Sequence, residues 1–280
     1  MIPRAHVTGW RAHAPWASDA QVEQDLVLSR AIVEIFRHQL LGSTLLFRGG
    51  TALHKVVLAP ATRYSEDIDL VQAEQGAIGP IMSALRQTLD PWLGKPKREQ
   101  TAAAVRFIYR FQSEAPPTTP LRLKIEINTR EHLHVLPLEE RTFAVENPWF
   151  SGRAGVRIYA LEELLGTKLR ALYQRKKGRD LYDLATTLAR VPSIEARQIV
   201  HCFGAYLTTA GQRVSRAEFE ENLAAKLNDP AFTRDIGPLL VPGAEADYDA
   251  ADAGLRVGRE ILSLLPGDPW KGPGAPGTAS

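Results

Sequence analysis

The chain has 280 residues, 44% of them hydrophobic and 24% charged, enough for one large or two modest cores and too ordinary for a disordered or fibrous protein. A formal net charge of +2 excludes a globally basic nucleic-acid binder, and the single cysteine, Cys202, excludes an internal disulfide and cysteine-rich zinc modules. MIPRAHVTGWRAHAPW lacks the apolar core of a signal peptide, and no stretch approaches the ~20 apolar residues of a membrane span, so the expected compartment is the cytoplasm.

Ser18 and Asp19 can cap a helix over residues 20–40 whose apolar face is Val22, Leu26, Leu28, Ile32, Val33, Ile35 and Phe36. After Gly42 and Ser43, residues 44–47 read as a short buried strand. Gly49-Gly50 breaks it, and 51–58 turns helical. Beyond Pro60, alternation over Asp67, Ile68, Asp69, Leu70 and Val71 puts both aspartates on one strand face. A helix over 78–93 follows, then strands over 104–111 and 121–128, separated by the turn-prone SEAPPTTP.

From Ala160 the pattern becomes helical, in ALEELLGTKLRALYQ, RDLYDLATTLARV, SIEARQIVHCFGAYL and SRAEFEENLAAKL, with a last helix around 250–265. PGDPWKGPGAPGTAS then carries too little apolar surface to fold. The expected fold class is α+β: a small mixed sheet with its helices over 1–159, a helical bundle over 160–265 completing a cleft, and a disordered tail over 266–280.

Two carboxylates one residue apart on a strand can share a divalent cation through oxygen ligands, and Mg²⁺ (or Mn²⁺) relieves their mutual repulsion. The turn Gly49-Gly50-Thr51 lies between a strand and a helix, where backbone N–H groups and a hydroxyl can hold phosphate oxygens. Together, Asp67, Asp69 and this turn offer what phosphoryl transfer from an NTP requires: charge neutralisation, phosphate donors and alignment of an attacking hydroxyl.

RGGTALHK followed by RYSEDIDL resembles the first motif of the AbiEii/AbiGii toxin family, a branch of the polymerase-beta-like nucleotidyltransferases that includes MenT-like toxins. The family pattern falls on Gly49, Gly50, Thr51, Asp67 and Asp69, with a spacer longer than usual. The resemblance implies transfer of a nucleoside monophosphate from an NTP, with pyrophosphate released. It also implies a toxin of a toxin–antitoxin or phage-defence pair, an antitoxin encoded nearby, and the 3′ end of tRNA as acceptor, which would block translation. A protein side chain or a small molecule remains open as acceptor, as does a nucleotide-binding regulator without transfer activity.

In LKIEIN, Lys124, Glu126 and Asn128 share a polar strand face, and Glu126 is a candidate third carboxylate at the metal. LEELLGTKLRALYQRKKGRDLYDL resembles the family's later motifs, which places Lys168 at the triphosphate and Asp180 as its orienting or proton-accepting partner. Arg48, Ser65, Lys124, Arg179 and Asp183 are candidate supporting residues. Arg175, Lys176, Lys177 and Arg179, with Lys95, Lys97 and Arg98, offer a basic run to an RNA backbone, against the plainer reading of a solvated face. His54, His132, His134 and His201 lack zinc-ligand spacing.

Overall fold

Ser18 starts the long N-terminal helix as expected. Its hydroxyl accepts from the Gln21 N–H while the Gln21 side chain accepts from the Ser18 N–H, satisfying two donors that the helix start leaves open. The computed structural model describes residues 2–114 and 116–272. In it this helix, α2 (Asp19–Arg37), is preceded by α1 (Arg4–Trp10) and followed by α3 (Gln39–Thr44). Asp25 ties the pieces together: its buried carboxylate accepts from the indole N–H groups of Trp10 and Trp16 and pairs with Lys55.

The strands are β1 (Leu45–Arg48), β2 (Asp67–Gln72), β3 (Lys97–Gln100), β4 (Ala104–Gln112), β5 (Pro120–Asn128), β6 (Glu139–Asn147) and β7 (Phe150–Ile158). They form one mixed sheet in the order β3-β4-β5-β2-β1-β7-β6, parallel at β2–β5 and β1–β7 and antiparallel elsewhere. Between β1 and β2 lies α4 (Gly49–Ala52), running into a π-helical turn over Leu53–Val57. Helix α5 (Ile78–Leu93) follows β2.

Helices α2 and α5 pack on one sheet face, which carries Phe47, Ile68, Leu70, Phe107, Tyr109, Leu123, Ile125 and Ile127, all essentially inaccessible. The Tyr109 hydroxyl donates to Asp90 on α5 at 2.9 Å, so even this buried phenol has its partner. Residues of the other parity on β2 and β5, Asp67, Asp69, Lys124 and Glu126, therefore share the opposite face.

Sequence patterning missed β3, β6 and β7. KREQ is entirely polar, and β6 buries only Val145 and Asn147. Strands such as β3 and β6 are specified by their pairing partners rather than by their own alternation, whereas β7 buries Ala154, Val156 and Ile158 at alternate positions among glycines and arginines that mask the pattern.

The chain divides into two compact units, Met1–Ala160 with Leu239–Gly243, and Leu161–Pro238 with Ala244–Ser280. In the first unit, the Tyr64 N–H donates to Leu239 O at 2.7 Å and Arg63 bridges Leu240, so the returning segment braces the residues just before β2. The second unit contains α6 (Leu161–Gln174), α7 (Gly178–Arg190), α8 (Ala196–Thr209), α9 (Arg216–Leu227), the single turn α10 (Pro230–Thr233) and α11 (Ala250–Glu260). Helix α6 packs on α7 and α8, and α7 packs on α11.

The tail expected to be disordered over 266–280 is held in its described part. The Arg216 N–H donates to Pro266 O and the Trp270 N–H donates to Glu220, each at 2.8 Å. Residues 273–280 lie outside the described residues. Among the described residues, no helix is long and apolar enough to cross a membrane.

Candidate active site

Gly49 follows β1 with φ +81°, a left-handed conformation that side chains disfavour. A Cβ here would also overlap the Asp69 carboxylate, and one on Gly50 would overlap the Arg63 guanidinium. The glycine turn is thus shaped from within by two residues of the following motif, RYSEDID. The buried Thr51 hydroxyl donates to the Asp67 carbonyl and lies 2.7 Å from the Ser65 hydroxyl, joining the helical end of the turn to the start of β2.

Strand register assembles the charged face. Arg48 on β1 lies opposite Asp69 on β2, Asp69 opposite Glu126 on β5, and Glu126 opposite Arg106 on β4. Asp67 lies opposite Lys124, whose ammonium is 2.8 Å from Asp67 Oδ2 and 3.8 Å from Glu126 Oε2. Glu126 Oε2 also accepts from Arg106 Nε at 2.6 Å, and Arg48 pairs with Glu131 at 2.6 Å.

This environment shifts the charges it gathers. Burial, reinforced by the Asp67 charge, pushes the Asp69 carboxyl above the ordinary aspartate value against the opposing pull of Arg48 and Lys124. For Lys124, burial works against the ammonium. The hydrogen bond to Asp67 and the surrounding carboxylates outweigh it, so its pKa is raised.

Asp67 Oδ1 is buried without a hydrogen-bond partner among the described residues. An ionised oxygen in that position is costly unless a cation or donor meets it. With Asp69 on the same face, these two carboxylates fit a divalent cation with oxygen ligands. Glu126 is engaged by Arg106 and Lys124, and no group of three or more His, Cys, Asp or Glu among the described residues is arranged to hold a metal.

The remaining sequence candidates gather in the second unit. Lys168 on α6 is buried, with its ammonium 2.7 Å from Asp183 and 3.4 Å from Asp180. Arg175 binds both oxygens of Asp180, at 2.6 and 2.8 Å. Two cations and two carboxylates thus form a compact set joining α6 to α7. Arg179 adds a backbone N–H to Asp235 at 3.4 Å.

A family model described as nucleotidyl transferase AbiEii toxin, type IV toxin–antitoxin system, matches residues 30–254. The chain belongs to the AbiEii family. AbiEii membership makes it a nucleotidyltransferase of a toxin family, and its fold agrees. MenT4, the nucleotidyltransferase toxin Rv2826c from Mycobacterium tuberculosis H37Rv, superposes with a TM-score of 0.64 at 20% identity, covering 94% of this chain and 90% of that one. JHP933 from Helicobacter pylori superposes with a TM-score of 0.56 at 17% identity, covering 89% and 93%. A comparison with curated proteins finds no significant match.

In this AbiEii chain, three residues of the site escaped sequence reasoning. Arg106 and Glu131 are distant in sequence from the motifs and reach them only through strand register and the loop after β5. Arg63 stands inside RYSEDID, where its role beneath Gly50 has no linear signature.

Proposed function

We propose that this AbiEii chain transfers a nucleoside monophosphate from an NTP to the 3′ end of tRNA in the cytoplasm, and so acts as a translation-blocking toxin with an antitoxin encoded nearby. The observation that carries the transfer chemistry is the partnerless, buried Asp67 Oδ1 on the same face as Asp69, against a turn that admits only glycine. The tRNA acceptor rests on the family resemblance.

Bound Mg²⁺ or Mn²⁺ would neutralise charge developing on the triphosphate. The residues that would hold it are Asp67 and Asp69, with Glu126 adjacent. Lys124 keeps Asp67 oriented and partly neutralised. Gly49 and Gly50 are the first residues of α4, and their N–H groups, with no side chain of their own in the way, are suited to phosphate oxygens. In the transfer the acceptor hydroxyl oxygen bonds to the α-phosphorus and loses its proton to solvent, and the bond from that phosphorus to the oxygen bridging it to the β-phosphate breaks, so that this oxygen leaves with pyrophosphate. Lys168 and Asp180 are assigned to the triphosphate and to its orientation by the family resemblance.

Incubation of the protein with each labelled NTP, Mg²⁺ and either total tRNA or protein tests this reading. Label is expected at the RNA 3′ end, with wild-type expression arresting growth and Asp69→Ala expression not. Label entering protein alone would sink the tRNA acceptor, and equal growth arrest by wild type and Asp69→Ala would sink the transfer activity.

A further inference from the structure

The face that bears Asp67 and Asp69 continues across β5, β4 and β3 in rows set by register. Asp67 faces Lys124, Lys124 faces Ile108, and Ile108 faces Lys97. The next row toward the far end of the hairpin is Arg122 directly opposite Arg110. Two residues along a strand advance by ~7 Å, so Arg122 follows Lys124 at that step away from the carboxylates.

Two arginines opposed across a strand pair repel each other and weaken the sheet locally. Both are exposed. Arg110 has no ion pair among the described residues. Arg122 has only Glu66, at 3.5 Å, with both side chains largely solvated, a pairing of small value that an incoming anion can replace. Lys97, also exposed, adds a third cation beside Glu99. At one end of the face the carboxylates are matched by Lys124 and Arg106, while the other end carries Arg110 and the weakly paired Arg122 in excess of acidic partners.

We infer that Arg110 and Arg122 form a docking surface for the phosphate backbone of an RNA acceptor, upstream of the hydroxyl presented to Asp67 and Asp69. This rests on the nucleotidyl-transfer reading above and adds the place where the acceptor is held. Charge complementarity selects the occupant: paired guanidiniums in an exposed strip match a polyanion of closely spaced phosphates. An NTP engages the glycine turn instead, so the strip governs the acceptor and not the nucleotide.

The test compares wild type with Arg110→Ala/Arg122→Ala and Arg110→Lys/Arg122→Lys. The measurements are transfer to tRNA, KM for tRNA and for NTP, and tRNA binding across a salt series. The alanine pair is expected to raise the tRNA KM about tenfold and to flatten the log–log salt dependence by roughly 1.4 to 1.8, the contribution of two phosphate contacts. NTP KM should stay at the wild-type value, the melting temperature of the alanine pair should not fall below wild type, and the lysine pair should recover most of the binding, which rules out a merely structural loss.

An alanine pair with unchanged tRNA KM and salt slope overturns the inference while leaving the transfer reading intact. A wild-type protein that labels a protein or small molecule and never RNA overturns both. A raised KM for an acidic protein acceptor, with RNA inert, would assign the strip to a different partner and also overturns it.

Discussion

Gly49 and Asp69 occupy each other's space: a Cβ on the glycine would overlap the carboxylate that lies against it. The turn and the aspartate strand therefore form one unit, and the first consequence concerns Gly49→Ala. The substitution must either displace Asp69 or distort a backbone already at φ +81°. A displacement on the order of 1 Å is expected to lower transfer about 10²-fold, while stability falls by roughly 1 kcal/mol. Single-turnover rates and thermal melting measure the two effects, and a fully active alanine variant would contradict the packing argument.

The raised Asp69 carboxyl has a pH signature. The folded chain holds this proton more tightly than the unfolded chain, so stability falls as pH rises from the ordinary aspartate value through the raised one. Above both, the ionised carboxylate is a net cost to the metal-free fold. Asp69→Asn is expected to melt higher than wild type at neutral pH in the presence of a chelator, with the gap closing near pH ~4. The same variant should lose about 10³-fold in transfer, the scale of the several kcal/mol a bound cation supplies.

Lys124 competes for the oxygen-rich site that a cation would occupy, since its ammonium lies 2.8 Å from Asp67. Removing it in Lys124→Met leaves Asp67, Asp69 and Glu126 to repel one another. The metal-free protein should melt lower, and Mg²⁺ should raise its melting temperature by more than it raises that of wild type. Equal Mg²⁺ shifts in the two proteins would argue against a shared cation at these carboxylates.

Lys168 sits between Asp180 and Asp183, both of which are fully buried. Lys168→Met removes the ammonium that lies 2.7 Å from Asp183 and leaves Asp180 with Arg175, at a cost of about 3–5 kcal/mol by the general behaviour of broken buried pairs. Denaturant unfolding measures it. A loss of activity with wild-type stability would instead show that this ammonium serves the reaction more than the fold.

Much of the site was legible because its chemistry is local in sequence. The alternation over Asp67–Val71 and Leu123–Asn128 placed the acidic pair and Glu126 on polar strand faces, and the structure has those faces on one side of one sheet. The capped start of α2 and the helices after Ala160 were readable for the same reason, since caps and periodicity act within a few residues. The strand β3 was not, because it is entirely polar, and β6 buries only Val145 and Asn147; β7 does alternate, burying Ala154, Val156 and Ile158, but its glycines and arginines mask that pattern in the sequence.

By itself the sequence determined the residue types of the candidate site, their order, and the glycine turn ahead of the aspartates. Only the tertiary structure decided which charges meet. Register across β1, β2, β5 and β4 brings Arg48, Asp69, Glu126 and Arg106 into one row and sets Arg110 against Arg122. The physical reason is that a strand's own pattern selects which face a side chain occupies, whereas its partner across the ladder is chosen by pairing between segments far apart in the chain.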